Sequence, residues 1–234
     1  LPEPEVLLDH IARAVARAKT LAGVRVTVTA GPTQEAVDPV RYLTNHSTGR
    51  MGYAIAREAM LRGGQVTLIS GPTALPPVPF VEMVPVTTAQ EMLEAVQDAL
   101  PETDILIKAA AVADFRPAVQ AEEKVKKSAG PAALPLAPTA DILGWVAEHR
   151  HPGLFVCGFS METRELLAQS RAKLERKKLD MIAANNLKVA GAGFGVETNV
   201  VTLITPGGVE ELPLMGKDQV AARLLDEIQR RRQL

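Results

Sequence analysis

The sequence predicts an α/β domain built on a doubly wound, mainly parallel, Rossmann-like sheet, with a C-terminal β-hairpin and a closing helix. Three observations carry that expectation. Residues 24–29 alternate β-branched side chains as a strand does, break at Ala30-Gly31-Pro32, and re-enter order as a helix at Gly49 after a polar loop. Residues 104–113, DILIKAAAVA, form the near-continuous apolar run of a strand buried on both faces. Strand-like and helix-like stretches alternate along most of the chain, which builds parallel sheets through right-handed crossovers.

Taken in order, residues 1–22 read as an amphipathic linker helix, with Leu7, Ile11, Val15 and Leu21 near one face. The helix at 49–62 carries Met51, Ile55, Ala59 and Met60 inward and stops at Gly63-Gly64, a C-cap signal. Residues 65–69 and 81–86 are short strands separated by a proline-rich connection. Thr88 with Glu91 forms a capping box for a helix whose stripe is Met92, Val96 and Leu100. The 104–113 strand follows, and within it Lys108 is a misfit. Asp141 starts a short helix through Trp145, residues 154–159 are a strand, and Glu162-Thr163 opens a helix reaching Lys178. Residues 180–184 make a further strand ending at Asn185-Asn186. Beyond a glycine-rich loop (Gly191, Gly193, Gly195), residues 199–205 and 209–214 flank Pro206-Gly207-Gly208 as a hairpin. Residues 217–232 close the chain as a helix with Val220, Leu224 and Ile228 inward.

The 234 residues carry a formal net charge of −1, a balance that argues against a nucleic-acid scaffold, which shows a basic face. No apolar run approaches the ~18 residues of a membrane span, and no charged-then-apolar leader marks secretion. The one cysteine, Cys157, lies in an apolar strand and reads as a small buried hydrophobe. With no internal disulfide available, a reducing cytoplasm is the expected compartment.

Chemistry concentrates where parallel strands end, because ligands of such sheets lie beyond their carboxyl ends. The loop between the first strand and Gly49 crowds Asp38, Arg41, Asn45, His46, Ser47 and Thr48 together. Its exit into a helix offers backbone N–H groups and the positive end of a dipole, which suits a phosphate at Gly31, Ser47 and Gly49. Turn glycines are the plainer reading of Gly31 and Gly49, since neither GxGxxG nor GK[ST] is present. The run Glu122-Glu123-Lys124-Val125-Lys126-Lys127 is either a solvated loop or a flap whose lysines close over a polyanion. Lys173 and Lys177, four apart on a helix, share a face and repel unless an anion lies between them.

Five segments, AGPTQEAVDPVRYLTNHSTGRMG, KAAAVADFRP, KVKK, GFSMETRELL with its lysine-rich helix, and LDMIAANN, occur in this order between Val24 and Ile228. In this the chain resembles the CTP-dependent bacterial phosphopantothenoylcysteine synthetase family. The resemblance implies that residues 23–234 are an acid–amine ligase domain, that CTP and Mg2+ activate the 4′-phosphopantothenate carboxylate, and that cysteine then displaces CMP. It further implies a homodimer, and an N-terminal decarboxylase domain fused ahead of this one in the full-length protein. By the same resemblance Asn45 handles the acyl-cytidylate and Lys124 is the flap lysine that neutralises phosphate charge. Arg41 and Ala111 fall on the substrate side. Asp114, Phe159, Lys173, Lys177 and the stretch Ala140, Asp141, Ile142 and Leu143 fall on the nucleotide side. Departures occur at Ser47-Thr48-Gly49, Gly158-Phe159-Ser160-Met161-Glu162-Thr163 and Thr139-Ala140-Asp141-Ile142, where the family shows other residues. Two alternatives stand: ATP as the activating nucleotide, and a short-chain-type NAD(P)-dependent oxidoreductase. Against the oxidoreductase, the second strand ends Leu68-Ile69-Ser70 without an acidic ribose ligand.

Overall fold

A computed structural model of the chain describes residues 3–126, 133–162, 165–186, 193 and 195–232. The elements run α1 (Pro4–Val15), β1 (Arg25–Ala30), β2 (Gln34–Ala36), β3 (Tyr42–Thr44), α2 (Arg50–Leu61), β4 (Gln65–Ser70), β5 (Glu82–Pro85), α3 (Ala89–Ala99) and β6 (Ile105–Lys108). They continue with β7 (Phe115–Pro117), β8 (Leu136–Pro138), α4 (Ile142–His149), β9 (Phe155–Glu162), α5 (Leu166–Arg176), β10 (Met181–Asn186), β11 (Thr198–Asn199), β12 (Val201–Thr205), β13 (Gly208–Glu211), β14 (Met215–Gly216) and α6 (Lys217–Arg232).

Eight strands form one sheet in the order β13-β12-β10-β9-β6-β1-β4-β5. The six from β10 to β5 pair in parallel, and β12 and β13 add an antiparallel edge. From β1 the chain first winds outward through β4 and β5, then crosses to the other side through β6, β9 and β10. The strand order therefore reverses between β1 and β6, the crevice where such sheets hold ligands.

Period-two alternation divides the apolar residues between two layers. Val26, Val28, Ile105, Ile107 and Met181 pack with α2 and α6 on one face. Leu106, Val156, Ile182 and Ile204 pack with residues of α3, α4 and α5 on the other. On β1 the second face carries Thr27 and Thr29, both buried and both satisfied. Thr27 Oγ1 lies 2.7 Å from Thr103 Oγ1, and Thr29 Oγ1 accepts from Ala110 N at 3.2 Å.

Several boundaries differ from the sequence expectation, each for a physical reason. The apolar run at 104–113 is strand only to Lys108. Its alanines leave the regular sheet because the register with β9 ends at Lys108 opposite Gly158, although Ala109 and Ala111 still donate to the carbonyls of Thr29 and Gly31. The expected helix start at Glu162-Thr163 is instead strand as far as Glu162, because β10 runs alongside β9 to that point, and α5 begins at Leu166. Thr163 itself lies outside the described residues, as do Lys127, Gly191 and most of the glycine-rich loop. The N-terminal helix ends at Val15 with no residue buried, whereas Leu21 leaves the helix to enter the core. The polar loop after β1 contains a hairpin of β2 and β3, and β11 pairs with β14 beside the expected β12–β13 hairpin. The capping box at Thr88 and the span of α6 are as expected: Glu91 N donates to Thr88 Oγ1 at 3.1 Å.

Candidate functional site

A cleft of about 630 Å³ opens over the carboxyl ends of β6, β9 and β10 and the start of α2. Its floor begins with Lys108. Side chains alternate along β6, so Lys108, its last residue, lies on the same face as Leu106, which the α3–α4–α5 layer covers. The lysine that interrupts an apolar run in the sequence therefore stands at the rim of the sheet. Burial, and next the positive charge of Lys173, lower its pKa to about 8, against the pull of Asp114 and Asp141.

The start of α2 forms one wall. Gly49, the residue before the helix, has φ of 81°, a left-handed conformation that glycine takes without strain. Its N–H donates to Ser47 Oγ at 3.3 Å, and Arg50, beside the cleft, pairs with Glu197. Gly31 packs beneath this turn: a Cβ on it would sit 2.9 Å from the Gly71 carbonyl oxygen. Gly31 supports the wall and is not itself part of the lining.

Opposite lie α4 and α5. Asp141 caps α4, its Oδ1 accepting from Gly144 N at 2.9 Å, while its Oδ2 accepts from Lys177. Burial raises the Asp141 pKa, but the Lys177 and Gly144 hydrogen bonds outweigh it and the net shift is downward. Lys173 donates to the Phe159 carbonyl at 2.9 Å. The two lysines on one helix face are thus separated onto different partners. Ala140, Ile142, Leu143, Phe159 and Asp114 complete this side.

Sequence reasoning missed part of the lining. Lys217, at the start of α6, donates to Gly193 O at 3.2 Å and also to Val196 O. Burial and Arg50 lower its pKa, and Glu197 opposes them. Asn199 Nδ2 donates to Asn185 Oδ1 at 3.1 Å between β11 and β10. Ser160 and Arg176 also line the cleft. Asn199 sits on β11 ahead of β12, and Lys217 returns after the β12–β13 excursion; no local pattern announces either. Lys108 did leave a signal, a charge inside an apolar run.

Of the sequence candidates, the cleft gathers Ser47, Gly49, Ala111, Asp114, Ala140, Asp141, Ile142, Leu143, Phe159, Lys173 and Lys177. Arg41, Asn45 and Lys124 are not among the lining residues. Asn45 lies just behind it, its Nδ2 donating to the carbonyls of Ala111 at 3.0 Å and Val112 at 3.2 Å, so it holds the wall that Ala111 presents. Arg41 pairs with buried Asp38, whose pKa is held well below the usual carboxylate range by that guanidinium. Asp38 Oδ2 also accepts from Val125 N at 3.2 Å, and Arg41 Nη2 donates to Val125 O at 3.0 Å. Both backbone groups of Val125 are thereby fastened next to exposed Lys124.

Among the described residues the lining presents six cationic side chains and two carboxylates, although the whole chain is slightly negative. Such focusing fits a polyanion at the switch point. No three His, Cys, Asp or Glu side chains cluster among the described residues, so a divalent ion has no cage of protein ligands here. Among the described lining residues, Asp114 and Asp141 are the carboxylates that could meet an ion carried in on phosphates.

Comparison with known proteins agrees with this architecture. The chain is 44% identical over 232 residues to the coenzyme A biosynthesis bifunctional protein CoaBC of Bacillus subtilis (strain 168), covering 97% of this chain and 57% of that protein. It therefore spans little more than half the length of the curated relatives it matches. A crystal structure of the C-terminal domain of a CoaBC protein superimposes with a TM-score of 0.78 at 40% identity, covering 91% of this chain and 97% of that one. A protein solved as a Cab2 mutant in complex with phosphopantothenate-cysteine shares the fold at a TM-score of 0.74 and 16% identity, covering 99% of this chain and 94% of that one. Residues 21–231 match the DNA/pantothenate metabolism flavoprotein C-terminal domain, and the chain belongs to that family.

Proposed function

We propose that this domain joins 4′-phosphopantothenate to cysteine at the expense of CTP, as a step in coenzyme A biosynthesis. The observation that carries the reading is the cationic cleft at the strand ends in a chain of this family. The CoaBC names of its relatives supply the pathway.

The chemistry is constrained by charge. A carboxylate is a poor acyl donor, so its oxygen attacks the α-phosphorus of CTP. The bond to the β-phosphate breaks and pyrophosphate leaves, giving an acyl-cytidylate. The cysteine amine then attacks the acyl carbon, the C–O bond to the cytidylate breaks, and CMP departs as the amine proton is lost. Anion meets polyanion in the first step, so positioning and charge stabilisation matter more than an enzyme nucleophile. Lys108, Lys173, Lys177 and the N–H groups at the start of α2 supply that charge on the phosphates. Lys124 adds to it from the segment clasped at Val125. Asp114 and Asp141, the carboxylates in the described lining, would meet a Mg2+ carried on the nucleotide, and such an ion would neutralise phosphate charge. Phe159 packs on the base, and the backbone of 140–143 reads its edge. Arg41 stands on the phosphopantothenate side. Asn45 holds Ala111 and handles the acyl-cytidylate.

A homodimer, a cytoplasmic setting and a decarboxylase domain ahead of residue 1 belong to the same reading. The greater length of the CoaBC relatives supports the fused domain. The oxidoreductase reading lacks support. Ser70 ends β4 where a ribose-binding acid would stand, and its hydroxyl contacts Tyr53 Oη at 3.1 Å and Gly71 O at 2.8 Å.

Pyrophosphate release with CTP, ATP, UTP and GTP in parallel tests the proposal. Release with CTP that requires phosphopantothenate, and amide formation that requires cysteine, is expected. Faster release with ATP would reassign the nucleotide, and release from none would remove the ligase reading. The Asn45→Asp variant is expected to bind CTP and accumulate acyl-cytidylate; normal turnover by that variant would contradict the role given to Asn45.

A further inference from the structure

Six cations line the cleft, and the described ones differ in what they are already doing. Lys177 is paired with Asp141, Arg50 with Glu197, and Lys217 donates to two carbonyls. Lys173 donates to the Phe159 carbonyl. Lys108 is in another position: it is partly buried on the floor, and no hydrogen bond or ion pair joins its ammonium to any described residue. Its strand neighbour Gly158 precedes the residue whose carbonyl Lys173 holds, which brings the two lysines to the middle of β9, where β6 stops beside it.

Resting on the nucleotide reading above, we propose that Lys108 is a direct phosphate-binding residue of this cleft, and that nucleotide binding drives proton uptake onto it. The location argues for contact. A lysine at the carboxyl end of the strand beside the switch point, between the start of α2 and the α5 lysines, reaches the place where phosphates gather. The charges that face it come from every surrounding element. Lys173 of α5 opposes its charge while Asp114 and Asp141 favour it, and Arg50 of α2, Arg176 of α5, Lys177 just beyond it and Lys217 of α6 are the other cations of the lining. In the unliganded cleft burial and Lys173 win, and its pKa falls to about 8. A polyanion reverses the balance, because an opposite charge beside an ammonium favours the protonated form. The ligand therefore selects the charged lysine, and its affinity falls as pH rises past the unliganded pKa.

Calorimetric titration of Mg2+–CTP into the full chain, in paired buffers of different ionisation heat, reads this directly. For the wild type at pH 8 we expect uptake of about half a proton, and about a tenfold loss of affinity between pH 7 and pH 9. Lys108→Arg, charged throughout that range, should bind with no uptake and a flat pH profile. Lys108→Met should bind more weakly, also without uptake, while circular dichroism shows an unchanged fold. Uptake that persists in both variants would move the titration to another group and overturn the inference. Wild-type affinity in Lys108→Met would overturn it as well. No binding of Mg2+–CTP by the wild type would remove the nucleotide reading, and this inference with it.

Discussion

Lys108 shows how a single residue trades stability for chemistry. Its ammonium is less favoured in the folded protein than in water, since its pKa falls from the ordinary lysine value to about 8. Between pH 8 and about 10.4 the unfolded chain binds more protons than the folded one, so this group destabilises below pH 8 and the penalty fades as pH rises. Lys108→Met is therefore expected to raise the unfolding free energy at pH 7 by roughly 3 kcal/mol, and by less at pH 10. Urea titrations at the two pH values check both sign and trend. Asp38 illustrates the opposite case, a carboxylate whose charge is needed. Its Oδ1 closes the local turn onto Val40 and Arg41, both at 2.9 Å, while Oδ2 makes the long-range tie to Val125. Asp38→Asn can keep the first set and lose the second. Trypsin should then cut after Lys124 on the order of tenfold faster, as local opening becomes easier; unchanged cleavage would show that the clasp does not hold the segment. Cys157 is fully buried, and burial raises its thiol pKa. A thiol reagent should label it only when the protein unfolds.

At the scale of elements, the turn from β1 into α2 is the most demanding piece of backbone. Gly31 has φ of 75° and meets both the Gly71 carbonyl and the Thr73 methyl where a Cβ would go. Gly31→Ala is expected to cost about 1–3 kcal/mol of stability, measured by chemical denaturation, because strain and steric overlap add. This turn was legible in the sequence: a β-branched strand, a glycine break and a helix start leave little choice. So was the capping box at Thr88. The end of β6 was not. An apolar run does not say where a buried strand stops, because that depends on partners: the register with β9 ends at Lys108 opposite Gly158, while Ala109 and Ala111 go on bonding to Thr29 and Gly31. The start of α5 failed for a related reason, since pairing with β10 carries β9 as far as Glu162, the residue that resembled a helix opening.

At the scale of the whole molecule, the sheet order collects residues from both halves of the chain over one crevice. Ser47 and Gly49 come from the loop before α2, Lys108 from β6 and Asp114 from the segment after it, Lys173 and Lys177 from the end of α5 and its C-cap, and Lys217 from the last helix. Ser47, Gly49, Asp114, Lys173 and Lys177 were named from the sequence, whereas Lys108 stood out there only as a misfit. Lys217 and Asn199 could not be read there: Lys217 comes back only after β12 and β13, and Asn199 is set beside it by the pairing of β11 with β14. A ligand bound across so many elements should stabilise them together. Mg2+–CTP at ~100 times its dissociation constant adds ~2.7 kcal/mol to unfolding, and NADPH should add nothing measurable. The measurement that bears most directly on the account is a crystal structure with CTP and Mg2+ bound. Phosphates lying between the start of α2, Lys108 and Lys173 would agree with it. A nucleotide lodged elsewhere, with those three groups untouched, would contradict it.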